Sequence, residues 1–247
     1  FFTVFKPFLK MGMERLDGMI AVSETAITTV RNYLHPKKEF RIIPNGVDTE
    51  MFSPSIPKIS SLQDDKINLL FVGRMEPRNG LDRLLRAFFY VREKGFGNVR
   101  VIAVGDGPLR KIYQDMIPPE LKPDVIFTGA LNGGRPEYYS SSHILCFPAT
   151  IASFGITLLE GCASGLPFVS TAGAGFPSIF EDGENGFMID TSDERLFGET
   201  LIKLIKDENL RKRLGENGRR LAEKYSWKNV TSQILDYYYE LIQNKVC

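Results

Sequence analysis

Short runs rich in Ile, Val, Leu and Phe recur at Met19 to Val22, Phe40 to Ile43, Ile67 to Val72, Val99 to Val104, Val125 to Thr128, Ile144 to Phe147 and Phe168 to Ser170, with helical segments between most of them. Few folds accept that alternation: it predicts an α/β protein, a parallel sheet with helices on both faces. After the third run, Leu81, Leu84, Leu85, Phe88 and Phe89 share one helical face, with Asp82, Arg83, Arg86 and Glu93 on the rest, as in an amphipathic crossover helix. Beyond Asp193 the pattern is wholly helical, with Asp193 and Ser226 as N-caps and Trp227, Val230, Ile234, Tyr238 and Leu241 on one stripe of the last helix. Ser53 to Asp65 reads as a linker. Ligands of such sheets bind beyond the carboxyl ends of the strands, so the residues that follow each run are where chemistry is expected.

Composition narrows the partners. At 247 residues and 43% hydrophobic the chain has enough apolar material for a substantial core, and 31 Lys plus Arg against 30 Asp plus Glu leave a net charge of +1. Nucleic-acid binding by bulk electrostatics is not expected, and any phosphate site must be local. Cys146, Cys162 and Cys247 have neither CxxC spacing nor even number, which argues against a disulfide framework or a zinc site and for a reducing cytoplasm. Arg211, Lys212, Arg213, Arg219 and Arg220 are interleaved with Glu208, Glu216 and Glu223 and read as a solvated helix face. His35 and His143, without partners, read as structural. No apolar run reaches membrane-spanning length, and the opening segment lacks the marks of a secretory signal. Phe1, Phe2, Phe5 and Phe8 crowd that opening; they read as contacts of a preceding domain or, with Lys6 and Lys10, as an interfacial anchor.

The stretch Phe147 to Gly165, FPATIASFGITLLEGCASG, runs from a strand end through a small-residue turn into a helix. Amides of Phe154, Gly155 and Ile156 at a helix start favour an anion, and Glu160 stands one turn on, placed for a hydroxyl-bearing ligand. Arg74 follows another strand end and carries a guanidinium able to fork onto two phosphate oxygens. Gly105 and Asp106 open a tight turn; Gly105-Asp106-Gly107-Pro108 lacks the third glycine of a dinucleotide fingerprint, so a nicotinamide site is disfavoured. Gly173, Gly175 and Pro177 form a further loop, and Glu181 to Gly186 a turn-rich return.

Together with AVSE at Ala21 to Glu24, IIPNGVD at Ile42 to Asp48, FVGRMEPRNGLDRLLRAF at Phe71 to Phe88, VGDGPLR at Val104 to Arg110 and EDGENGF at Glu181 to Phe187, that stretch resembles the retaining glycosyltransferases of family four, nearest to the phosphatidylinositol mannosyltransferase-like members. The resemblance implies the donor-binding C-terminal half of a GT-B fold, with a Rossmann-like domain at 46–225, a remnant of an N-terminal domain and its connection at 1–45, and a helix at 226–247 crossing back. By resemblance Arg74, with Arg78 beside it and the amides of Phe154, Gly155 and Ile156, grips the donor diphosphate, and Glu160 holds the ribose. Gly73, Asn79, Gly105, Asp106, Gly129, Leu131, Ala152 and Ser153 border the donor pocket, and Asn45, Gly46 and Asp48 form the hinge, with Gly46 supplying an unusual φ. The implied substrates are a GDP- or UDP-hexose, possibly GDP-mannose, and a lipid or glycan acceptor, with no metal or cofactor and possible association with the inner membrane face.

Two positions depart from the family pattern. Asn79 stands where a lysine is usual; one lost charge-assisted contact is worth about 1.5–3 kcal/mol, or about tenfold to a hundredfold in affinity. Ala152 stands where the first acid of an E-x7-E pair is usual, and a methyl group accepts no hydrogen bond. A non-catalytic nucleotide-sugar-binding subunit is therefore the alternative to a working enzyme.

Overall fold

The computed structural model describes residues 2–131, 133–173 and 179–246. In chain order its elements are α1 (Phe2–Glu14), β1 (Met19–Ala21), α2 (Glu24–Leu34), β2 (Phe40–Ile42), β3 (Ile67–Val72), α3 (Leu81–Glu93), β4 (Val99–Val104), α4 (Arg110–Asp115), β5 (Val125–Gly129), α5 (Arg135–Ser140), β6 (Ile144–Phe147), α6 (Ile156–Ala163), β7 (Phe168–Thr171), β8 (Gly186–Ile189), α7 (Glu194–Lys206), α8 (Glu208–Lys224) and α9 (Trp227–Val246). Six strands form one parallel sheet in the order β5-β4-β3-β6-β7-β8. The order reverses between β3 and β6. In doubly wound sheets that reversal opens a crevice at the carboxyl edge, because successive crossover helices there leave to opposite faces.

The apolar runs are continuous because the sheet is covered on both sides. Leu69 and Phe71 point into one core with Leu84, Leu85 and Phe88 of α3 and Phe197 and Leu201 of α7. Their neighbours Leu70 and Val72 point into the other with Leu158 and Leu159 of α6 and Ala222 of α8. Complete burial of a Leu or Phe side chain contributes roughly 1.5–3 kcal/mol, so both layers hold the sheet.

Four readings change. β8 extends the sheet where the sequence pointed only to a turn-rich return, since GFMI is short and follows directly on the turn. Gly46 is not in the positive-φ set; a Cβ there would lie 2.7 Å from the Trp227 ring, so close packing selects the glycine. On α9 it is Tyr237 that packs with Val230, Ile234 and Leu241 against Ile20 and Ile43, while Tyr238 is exposed. Arg219 and Arg211 lie on no solvated face: Arg219 Nη1 donates to the carbonyls of Thr49, Phe52 and Ala163, clamping the segment ahead of the linker to the end of α6, and Arg211 Nη1 donates to those of Leu204 and Ile205 in α7. Phe1, Gly175, Pro177 and Cys247 lie outside the described residues.

β1 and β2 pair in parallel as a separate sheet, and α9 returns to cover it, with Val47 bridging to Ser226 at the junction. Phe5, Phe8, Leu9 and Met11 of α1 are exposed. Among the described residues no helix is long and apolar enough to cross a membrane.

Candidate functional site

At the carboxyl edge of the sheet the ends of β3 and β4 meet closely. Gly73 donates its N–H to the Val104 carbonyl at 3.0 Å, and a Cβ on Gly105 would lie 2.1 Å from the Gly73 carbonyl oxygen, at a φ of 128°. Only glycine satisfies both conditions. The approach leaves a cleft of about 390 Å³ lined by Gly73, Arg74, Gly105, Asp106, Leu131 and Arg135 among others. The Asp106 carboxylate accepts from the Gly107 amide at 2.8 Å and from Arg110 at 3.2 Å, which holds the β4 turn in place.

Arg74 projects from the β3 loop with its side chain 68% exposed. Glu76 lies between two guanidinium groups, 3.6 Å from Arg74 Nε and 2.5 Å from Arg78 Nε. Asn79 Nδ2 donates to the Arg74 carbonyl at 2.7 Å, so its amide braces the loop from within. The β6 loop is tied alongside, with the Thr150 amide donating to the Arg78 carbonyl at 2.8 Å. Ala152 and Ser153 sit in that second loop, and the Ser153 carbonyl accepts from Ser23 Oγ at 2.5 Å.

Gly155 caps α6 in the left-handed conformation (φ 80°) with no side-chain cap. Among the described residues the amides of Gly155, Ile156 and Thr157 have no acceptor, so unpaired donors remain at the positive end of the helix dipole. The Phe154 side chain is buried in the core, which leaves only its backbone for a ligand.

Glu160, one turn into α6, is 4% exposed. Arg135 Nη2 donates to Oε1 at 2.7 Å and Tyr139 Oη to Oε2 at 2.6 Å. Burial pushes the Glu160 carboxyl above the ordinary range, and the Tyr139 hydrogen bond and the Arg135 charge only partly offset it. Burial, with Glu160 beside it, also holds the Tyr139 phenol well above its usual value. A second cleft of about 450 Å³ adjoins the first, sharing Leu131 and Arg135 and walled by Phe52, Ile56, Pro57 and Glu137.

The structure thus brings Gly73, Arg74, Gly105, Asp106 and Leu131 to one cleft and ties Glu160 to it through Arg135, with Gly129 at the turn below. Arg78, Ala152, Ser153 and Gly155 belong to the adjoining loops, Ile156 opens α6, and Asn79 turns inward. Sequence reasoning missed Arg135 and Tyr139. The signal was present: Pro136 at a helix start after the β5 end puts Arg135 at the same carboxyl edge as Arg74.

Comparison with known proteins gives the family. The model of the family described as glycosyl transferases group 1 matches residues 52–221, which takes in both loops and Glu160. The chain belongs to this family. It is 30% identical over 239 residues to a phosphatidyl-myo-inositol mannosyltransferase of Mycobacterium leprae, covering 96% of this chain and 62% of that protein. The family member therefore spans less than two thirds of that relative's length. In fold it is similar to a glycosyltransferase from Rickettsia africae (TM-score 0.81, 17% identity, covering 98% of this chain and 68% of that one). It is also similar to Anabaena Alr3699/HepE, solved with UDP and glucose (TM-score 0.78, 18% identity, 96% and 66%).

Proposed function

We propose that this chain is the donor-binding part of a retaining hexosyltransferase that takes its sugar from a nucleoside diphosphate. The diphosphate lies between Arg74 and the uncapped start of α6, the ribose hydroxyls donate to Glu160, and the base occupies the second cleft by Leu131. The observation that carries the reading is the buried Glu160 beside unpaired helix-start amides, at the place where the strand order reverses. GDP-mannose is the preferred donor, supported by the mannosyltransferase named among the relatives. A UDP-hexose is the other candidate, supported by the UDP in the Anabaena structure.

Catalysis in such a site is orientation plus stabilisation of leaving-group charge. Arg74 and the α6 amides hold the departing diphosphate, whose oxygen takes the acceptor proton on the face where the new bond forms, so the anomeric configuration is kept. No side chain serves as general base in this scheme, and no metal or cofactor enters it. The acceptor is a lipid or glycan, and a lipid acceptor brings the enzyme to the inner membrane face.

A second reading, nucleotide-sugar binding without transfer, is favoured by Ala152 and Asn79. A thermal-shift panel of nucleoside diphosphates tests the common ground. At a hundredfold excess over Kd the stabilisation is about 2.7 kcal/mol, a rise of roughly 5–10 °C in Tm. A rise with NAD and none with GDP, UDP or ADP overturns the proposal. Transfer assays then separate the two readings. Turnover by the unmodified protein supports the enzyme, and turnover only after Ala152→Glu and Asn79→Lys supports the binding subunit.

A further inference from the structure

The β3 loop supplies less positive charge than its sequence suggests. Asn79 is neutral and committed to the Arg74 carbonyl, and Arg74 and Arg78 share one acid, Glu76, at 3.6 and 2.5 Å, which cancels one of the loop's two positive charges. A diphosphate carries more charge than one exposed guanidinium offsets, so a further cation is expected to face it.

We propose that Arg135 is the second diphosphate-binding cation of this cleft, taking from α5 the part that Asn79 cannot play. The proposal rests on the nucleotide-sugar reading above and adds a residue to it. Arg135 lines the same cleft as Arg74 and Gly105. Of its five N–H donors only one Nη2 hydrogen is engaged among the described residues, on Glu160. The pair is oriented: the Arg135 side chain is 47% exposed and that of Glu160 only 6%, so the cleft meets the positive partner. The Phe52 ring packs against it as well, its centroid 5.4 Å from the guanidinium carbon. A side chain anchored by two neighbours loses little freedom when a ligand arrives, and its planar fork presents parallel donors to phosphate oxygens.

The test is calorimetric titration of the chain with guanosine, GMP and GDP, and in parallel with uridine, UMP and UDP. In Arg135→Gln, diphosphate affinity is expected to fall about tenfold to a hundredfold, monophosphate affinity less, and nucleoside affinity not at all. Arg135→Lys is expected to recover part of the loss, and Asn79→Lys added to Arg135→Gln most of it. Equal weakening of nucleoside, monophosphate and diphosphate shows that Arg135 only props Glu160 and overturns the proposal, as does an unchanged diphosphate affinity. Should Arg135→Gln fail to fold, Arg135→Lys, which keeps a charge beside Glu160, is read by the same ratio of diphosphate to nucleoside affinity. A wild-type chain that binds no nucleoside diphosphate overturns the donor reading and this role with it, whereas normal wild-type binding with an indifferent Arg135→Gln removes the role alone.

Discussion

Asp124 and Glu160 are both buried acids with two partners each, yet their surroundings move them in opposite directions. Asp124 lies just ahead of β5 at the amino edge of the sheet, with Lys66 Nζ and Arg92 Nη1 each at 2.5 Å. Burial alone raises its pKa, but the hydrogen bonds and charges of the two cations outweigh that and hold the carboxyl below its ordinary value. Glu160, at the carboxyl edge, has one cation and one neutral phenol, and there burial prevails. A carboxylate offers about four lone-pair sites, and the two seen at Glu160 leave room for hydroxyl donors. The amino edge closes its charges on one another; the carboxyl edge keeps an acid under-compensated, as binding sites do.

Substitutions break this contrast in graded ways. Asp124→Ala strands two partly buried cations, and urea denaturation is expected to show a loss of about 3 kcal/mol with nucleoside diphosphate affinity intact. Glu160→Ala is expected to lower that affinity about a hundredfold in titrations, at a stability cost of about 1–3 kcal/mol from the unpaired Tyr139 hydroxyl. Gly105→Ala forces a methyl onto the Gly73 carbonyl at positive φ; it is expected to cost about 1–3 kcal/mol by thermal denaturation and to narrow the cleft, weakening the ligand as well.

The pH responses sharpen the same contrast. The folded pKa of Asp124 lies below the unfolded value of about 3.9, so its stabilisation is present above that value and lost as pH falls through the folded pKa. The folded pKa of Glu160 lies above the unfolded value of about 4.3, so its burial cost is absent at lower pH and grows as pH rises through the folded pKa. Stability profiles of Asp124→Asn and Glu160→Gln are therefore expected to diverge from wild type with opposite sign. His143, also at the amino edge, accepts the Asn68 amide at Nδ1 and is pushed down to about 4, chiefly by burial. Its contribution is complete above about pH 6.5 and lost as pH falls toward 4, and His143→Gln is expected to flatten that window. The smallest effect is expected from Arg110→Ala, an i,i+4 pair with Asp106 worth about 0.3–0.5 kcal/mol.

How far these features were legible in the sequence follows from their range. β3, β4 and β6 stand out because burial on both faces makes their runs continuously apolar, and Asp193 shows as an N-cap because it bonds an amide three residues on. The Arg74 and Gly155 loops are legible because a strand end carries its chemistry with it. Glu160 is visible as an acid near a helix start, but its partners are 25 and 21 residues away on a helix of under two turns, where no periodic pattern marks them. Gly46 and Arg219 mislead for the same reason, since a tryptophan ring and three distant carbonyls decide what they do.

The central claim is that the crevice between β3 and β6 holds a nucleoside diphosphate through Arg74, the α6 amides and Glu160. It is tested most directly by crystallising the chain with GDP and, separately, with UDP. The expected result is a diphosphate within hydrogen-bond distance of the Arg74 guanidinium and the Gly155 and Ile156 amides, with ribose hydroxyls on the Glu160 carboxylate. A nucleotide bound away from these groups, or a ribose that leaves Glu160 untouched, contradicts it.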